Sequence, residues 1–257
     1  MNPPPRAGRA ATIDESRRNG DFLGMSDLPA EMLLLPGGPV WIEWRRSARA
    51  RRVSLRIAPQ TGSVIVTLPM RAARGAGMAL LMSHAHWVSD RLAALPEALP
   101  IADGAAIPLA DTPHVIRHRP DLRGGAWIAD GEIHVAGDAG FLRRRVLDLL
   151  RKEARTRLTA RALAKAAEIA ARPSRVTVKD TRTRWGSCAP DGGLAFSWRL
   201  VMAPEFVQDY VVAHEVAHLR HMNHGARFWA LVARLTPHTS AANLWLRDHG
   251  ARLLRVG

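Results

Sequence analysis

The sequence has very little cysteine, and this limits the disulfide and metal sites it can form. Cys188 is the only cysteine among 257 residues. An intrachain disulfide is therefore excluded, and so are zinc fingers and iron–sulfur clusters built from several cysteines. Any metal site must rest mainly on histidine, aspartate and glutamate.

Long apolar runs are also missing. No stretch of about 18 uncharged apolar residues exists, so a membrane-spanning helix is not expected. The N-terminal residues lack the apolar core of a secretion signal, and Asp14, Glu15 and Asp21 are atypical of an organelle transit peptide. We therefore predict a cytoplasmic protein without membrane contact.

Acidic residues are scarce relative to basic ones. The chain has 23 Asp and Glu against 37 Lys and Arg, a formal net charge of +14. This excess indicates either a weak association with an anion such as nucleic acid or nucleotide, or simply a well-solvated surface. Hydrophobic residues make up 47% and charged residues 23%, and these globular values exclude wholesale disorder.

The hydrophobic patterns predict an α+β fold, with a β-rich N-terminal half and a helical C-terminal half. Residues 1–36 are rich in Pro, Arg and Gly and are predicted to be a disordered N-terminal arm, although the apolar patch at 32–35 could dock. Residues 37–138 are predicted to be the β-rich part of the domain, with one amphipathic helix over 72–95. Residues 139–257 form the third predicted segment.

This third segment begins with a long predicted helix over residues 141–171, followed by a strand and a hairpin that turns at 190–193. Between Arg143 and Lys165 the helix carries nine basic residues against two acidic ones. A positive helix face follows, which either binds phosphate groups or is only solvated. Two or three further helices complete the chain.

The most informative stretch carries the motif His214-Glu215-x-x-His218, which is the zinc signature of metalloproteases. Residues four apart on a helix point the same way and lie about 6 Å apart along its axis, so both imidazoles can contact one ion. Glu215 lies about 100° round the helix from His214. That position suits a general base acting on a metal-bound water rather than a ligand.

A catalytic zinc site needs a third protein ligand, and His221 and His224 are the candidates. His221 continues the same helix about 10 Å along the axis from His214, which overshoots the ion. If Asn223 caps a second helix that begins near His224, this histidine turns back towards the pair. We predict Zn²⁺ held by His214, His218 and His224, with His221 as the less favoured alternative.

Several motifs together resemble the YgjP-like metallopeptidase family, which is related to the SprT-like zincins. They are RWGSC (Arg184 to Cys188), SWRL (Ser197 to Leu200), the run from Ala203 to His224, and Phe228-Trp229. The resemblance is strongest over residues 172–254. It implies a zincin-like catalytic core, which we place in residues 139–257. It also implies one zinc ion on the same three histidines and a glutamate base at Glu215.

The resemblance further implies a metal-dependent hydrolase, with a peptidase as the favoured activity. Some members of the family are described as nucleoside triphosphate pyrophosphatases, and the motif fits both because each reaction needs a metal-activated water. A third alternative is a nucleic-acid-associated protein or a protease recruited to DNA. The family usually has Asn at the position of Ser197, and the shorter side chain leaves substrate preference open there.

Two further residues are candidates for substrate binding. Arg184 can bind a carboxylate or phosphate through its guanidinium fork, or it can pair with an acidic side chain. Tyr210, the only tyrosine, lies one turn before His214 and can donate to an oxyanion or pack beneath the helix. Arg199 is expected to pair with an aspartate, and Cys188 to be a buried, unreactive thiol.

Overall fold

The computed structural model describes residues 25–27, 29–181 and 183–257. The architecture is mixed α+β, with the predicted β-rich N-terminal half and helical C-terminal half. Two compact units are present: the described residues up to Arg56 with Val64–His86, and Ile57–Ser63 with Trp87–Gly257. The predicted division between residues 138 and 139 stays a prediction. No helix in the described ranges is both long and apolar enough to cross a membrane.

A five-stranded sheet comes first along the chain. Its strands are β1 (Met25–Asp27), β2 (Glu31–Leu35), β3 (Gly38–Ser47), β4 (Ser54–Ala58) and β5 (Ser63–Pro69). The order is β1-β3-β5-β4, and β2 also pairs with β3. β3 and β5 run parallel, whereas β1 and β2 are antiparallel to β3.

Strands β1 and β2 lie within residues 1–36, for which the sequence predicted a disordered arm. β2 joins the sheet because its alternate side chains face the core: Leu35 is buried, and Leu33 lies opposite the buried Val40. Met32 and Leu34, on the other face, are exposed. The parts of the predicted arm at residues 1–24 and 28 lie outside the described residues.

Two helices, α1 (Arg74–Ser83) and α2 (Ala85–Ala93), replace the single helix predicted over residues 72–95. The helix is interrupted at His84, where the Ser83 hydroxyl donates to the carbonyl of Leu80 and the His84 ring contacts the same oxygen. Such side-chain contacts compete with helical hydrogen bonds. A β-carbon at Gly77 would lie 2.6 Å from the Trp44 ring, so glycine lets α1 approach the sheet closely.

The second unit begins with a four-stranded sheet and a long helix. The strands are β6 (Ala106–Leu109), β7 (Thr112–Arg119), β8 (Ala126–Ala129) and β9 (Glu132–Ala136), in the order β6-β7-β9-β8. A short 3₁₀ turn at Ala139–Phe141 leads into α3 (Leu142–Glu168). The buried residues of α3 recur every three or four positions, as expected for an amphipathic helix.

Helix α3 uses several of its basic side chains inside the fold, so the predicted positive face is smaller than the sequence count indicates. Lys165 is buried; its Nζ lies 2.8 Å from Oδ1 of Asp209 and donates to the carbonyl of Leu235 at 2.6 Å. Arg161 and Arg145 also donate to backbone carbonyls. The exposed basic residues of α3 are Arg143, Arg144, Lys152 and Arg155.

A small three-stranded sheet and three helices follow α3. The strands are β10 (Arg175–Lys179), β11 (Gly186–Cys188) and β12 (Gly193–Ser197), in the order β10-β12-β11. β11 and β12 form the predicted hairpin. A 3₁₀ segment at Trp198–Met202 then leads to α4 (Glu205–Ala217), α5 (Ala226–Leu235) and α6 (Thr239–Leu254). α4 packs against α3, α5, α6 and β11, and this central helix carries the candidate site.

Candidate metal centre

The histidines of the motif lie at the C-terminal end of α4, and the chain turns there. α4 ends at Ala217, with His218 as its C-terminal cap. The amide of His221 still donates to the carbonyl of Ala217, after which the backbone leaves the helical path. α5 is capped by Gly225 without a side-chain hydrogen bond, so the predicted cap at Asn223 is wrong. The predicted reversal between the helices is nevertheless present.

The turn brings His224 back to the motif. The ligand nitrogens of His214, His218 and His224 lie within 4.8 Å of one another. Nε2 of His224 lies 3.1 Å from Nε2 of His214. Nitrogens on a tetrahedral zinc ion, with bonds of ~2.0–2.1 Å, are separated by about 3.3 Å. The donor set and its spacing therefore fit a divalent metal. Where two ligand nitrogens lie further apart than this, up to 4.8 Å, the rings would have to move slightly closer together to contact one ion.

The orientation of His218 is fixed by a backbone group. Its Nδ1 lies 3.0 Å from the carbonyl oxygen of His221. Because a carbonyl only accepts, Nδ1 carries the hydrogen and Nε2 keeps its lone pair. Metal-binding histidines are commonly oriented by such a partner. His221 thus contributes its carbonyl at this point, and its ring is absent from the histidine cluster found in the described residues.

Two aromatic side chains from α5 frame the cluster. The ring of Phe228 stacks on His218 with centroids 4.5 Å apart and meets His214 edge-on at 5.0 Å. Phe228 is fully buried, whereas Trp229, which stacks on His224, is 41% exposed. These contacts restrict rotation of the imidazoles. The sequence signal was the Phe228-Trp229 pair, which is one of the motifs that carry the family resemblance.

Glu215 lies in a close contact with β11. Its side chain is 8% exposed, and a β-carbon at Gly186 would lie 2.5 Å from Cγ and 2.7 Å from Oε1 of Glu215. Only glycine leaves room for the carboxyl there. Sequence reasoning did not single out Gly186, although a glycine inside a strand is a known sign of close approach by another group.

The electrostatics of the site favour neutral imidazoles at His214 and His218 and a weakly acidic carboxyl at Glu215. Burial, followed by the charges of His218 and His224, lowers the pKa of His214 to about 4. Burial also lowers the pKa of His218, against the effect of its bond to the His221 carbonyl. Burial raises the pKa of Glu215 to about 7, although the charge of Arg184 acts in the opposite direction. Neutral imidazole is the form that binds metal.

The two candidate substrate-binding residues differ in position. Arg184 is exposed and close enough to Glu215 for its charge to affect that carboxyl. Tyr210 is 6% exposed, and its ring meets His214 edge-on with centroids 5.9 Å apart. Cys188 is partly buried, and desolvation, followed by the charges of Glu215 and Asp191, raises the pKa of its thiol.

The residues at the end of β12 and directly after it are buried in the fold. Arg199 is buried and pairs with Asp180, which also accepts a hydrogen bond from the Trp198 indole at 3.1 Å. The expected pairing of Arg199 with an aspartate is therefore present. Ser197 is fully buried, so its side chain does not face solvent where a substrate would arrive.

A comparison with known families identifies a match over most of the chain. The family model described as "YgjP-like, metallopeptidase domain" matches residues 51–249. No curated protein and no solved structure matches the sequence. The matched range contains the histidine cluster, Glu215 and the strand with Gly186.

Proposed function

The chain belongs to the YgjP-like metallopeptidase family, and from that membership we propose that it is a zinc-dependent peptidase with Glu215 as its general base. The observation that carries this proposal is the convergence of His214, His218 and His224 beside a buried carboxyl. Membership of a metallopeptidase family implies a hydrolase that uses a metal. The zincin-like nature of the core, the identity of the ion and the roles of the residues belong to the proposal.

The three imidazoles would hold the metal, and zinc is the ion we propose because neutral imidazoles are among its preferred ligands. When bound, zinc supplies a Lewis acid for the substrate carbonyl and lowers the pKa of water. The chain supports this role in two ways. The His221 carbonyl keeps the Nε2 lone pair of His218 available, and Phe228 holds the rings in place.

Glu215 would take the proton of the attacking water on one of its carboxylate oxygens and pass it to the leaving amine. Burial raises the pKa of Glu215 to about 7 in the metal-free chain. A bound cation would lower this pKa and so favour the carboxylate form, which is the form that accepts the proton. Gly186 supports this role, because the absence of a side chain leaves space for the carboxyl beside β11. Arg184, exposed at the same end, would attract an anionic group of the substrate.

A second candidate function, hydrolysis of nucleoside triphosphates with release of pyrophosphate, is favoured by one observation. The guanidinium of Arg184 is near enough to influence the carboxyl of Glu215, and guanidinium groups bind phosphate well. The exposed basic residues of α3 lie outside the histidine cluster of the described residues, so they add no support. A cytoplasmic location stays a prediction.

The test compares zinc-loaded wild type with Glu215→Gln on casein, on a peptide mixture and on nucleoside triphosphates. We expect the variant to keep one zinc per chain by elemental analysis and to lose peptide cleavage by a factor of about 10² to 10⁴, the usual contribution of a general base. Glu97→Gln, an exposed glutamate, is the matched control and should retain full activity. Full activity of Glu215→Gln would refute the base assignment. Turnover of nucleotides alone would select the second candidate.

A further inference from the structure

A cavity adjoins the histidine cluster within the second unit. It has a volume of about 490 Å³ and is lined in part by His218, which also belongs to the cluster. Its walls come from the residues after α3 (170–172), the turn between β11 and β12 (188–192), and the chain that follows α4 (218–220 and 222). The volume lies in the range of small-ligand pockets and exceeds that of one amino-acid side chain.

Hydrogen bonds between these walls hold the cavity in shape. Nη2 of Arg220 donates to the carbonyls of Ile169 at 2.8 Å and Ala170 at 2.6 Å, which joins the third wall to the first. The amide of Ser174 donates to the carbonyl of Gly192 at 3.1 Å, which joins the first wall to the second. The cavity is therefore a feature of the folded chain that does not depend on a ligand to form it.

The charge of the cavity is positive. Arg172 and Arg220 both line it. Its one lining carboxylate, Asp191, accepts from the Gly193 amide at 3.0 Å and from Arg175 at 2.8 Å, so its charge is offset within the fold. Glu215 is not among the lining residues. Its charge affects the lining residue Cys188, but its side chain lies against Gly186. The guanidinium of Arg220 is bound to backbone carbonyls. Arg172 is exposed, and its guanidinium is therefore better placed to meet an incoming anion.

We propose that this cavity is a substrate subsite that recognises a carboxylate, with Arg172 as the specificity-determining residue. The inference rests on the proposed peptidase function, because His218 belongs to the histidine cluster and also lines the cavity, which puts the two side by side. The carboxylate comes from an Asp or Glu side chain or from the C-terminus of the peptide. Both sources share the planar, bidentate geometry that a guanidinium fork matches.

The experiment uses zinc-loaded full-length protein and octapeptide libraries in which one position at a time is Glu, Gln or Lys, each made with a free or an amidated C-terminus. At one position, or at a free C-terminus, we expect kcat/KM for the carboxylate peptide to exceed that of its neutral counterpart by about tenfold, because the contact stays partly in water. Arg172→Ala should remove this preference by lowering kcat/KM for the carboxylate peptide to that of its neutral counterpart. Arg227→Ala, an exposed arginine on α5 outside the cavity, should retain it.

Binding separates this inference from the peptidase proposal. The same peptides, fluorescently labelled, are titrated against zinc-loaded Glu215→Gln and its Arg172→Ala double variant. Preferred binding of carboxylate peptides that depends on Arg172, without cleavage by wild type, would support the subsite and overturn the peptidase function. Cleavage by wild type with equal rates for Glu and Gln peptides and for both C-termini would overturn the subsite and leave the function standing. The absence of any preference for carboxylate peptides in both the cleavage and the binding assay would also overturn the subsite.

Discussion

Burial of Glu215 should make the metal-free protein less stable as pH rises, and Glu215→Gln should remove that effect. The folded-state pKa is raised from 4.5 to about 7, so the folded chain holds this proton more tightly than the unfolded chain does. The contribution of the protonated carboxyl to stability is therefore fully present below pH 4.5 and is lost as pH rises through about 7. Glutamine has nearly the same shape but does not ionise.

The size of the effect follows from the shift, since one pKa unit corresponds to 1.36 kcal/mol. Relative to wild type, Glu215→Gln should gain about 3 kcal/mol of unfolding free energy at pH 8 and about 1 kcal/mol at pH 5. The expected difference between these two pH values is about 2 kcal/mol. Changes in packing that do not depend on pH cancel in this difference, and so do the shared titrations of the histidines.

The assay is urea unfolding of protein dialysed against a chelator, at several pH values from 5 to 8, followed by tryptophan fluorescence and circular dichroism. Removing metal is essential because a bound cation would favour the ionised carboxyl. Glu97→Gln is the control, since its side chain is exposed, and its difference from wild type should stay near zero throughout. An equally flat difference for Glu215→Gln would mean that the carboxyl titrates as in water, and the argument from burial would fail.

Three further predictions concern metal binding, packing and charge. His224→Ala should weaken zinc binding by more than about 100-fold, which exceeds the loss of affinity usual when only an orienting partner is removed. His221→Ala keeps the backbone carbonyl and should change the Kd for zinc little. Competition with a chromogenic chelator measures both Kd values. Gly186→Ala should cost about 1–3 kcal/mol of stability through overpacking against Glu215 and should lower kcat. The control is Gly125→Ala, where a β-carbon meets nothing within 4 Å; it should change neither stability nor kcat. If the basic surface binds nucleic acid, retention on DNA should fall with salt by about 0.9 log units per log unit of salt for each phosphate neutralised, and no retention at low salt would contradict it.

The sequence predicted the parts of the fold and site that depend on local spacing. The motif placed His214 and His218 on one helix face, and helix α3 lies within its predicted range. Contacts between distant segments were not predictable in this way. The approach of Gly186 to Glu215 and the pairing of β2 with β3 depend on tertiary packing, which leaves only a weak local signal in the sequence.

The cap of α5 shows the same limit on a smaller scale. Asn223 is a better capping residue than Gly225 by intrinsic preference, yet Gly225 occupies the cap. The position of the helix start depends on the turn that brings His224 to the cluster. A preference of this size is easily outweighed by the packing of Phe228 against the imidazoles.

The hydrogen bond between His218 and the carbonyl of His221 couples two of the proposed metal ligands through one short loop. The residues that carry His224 to the cluster also hold the ring of His218 in the tautomer whose Nε2 has a free lone pair. Inserting or deleting a single residue between positions 219 and 223 would therefore disturb both histidines together. Evolution in this segment is expected to proceed by substitution at constant length. Even non-conservative side-chain exchanges should be tolerated as long as the loop keeps its span.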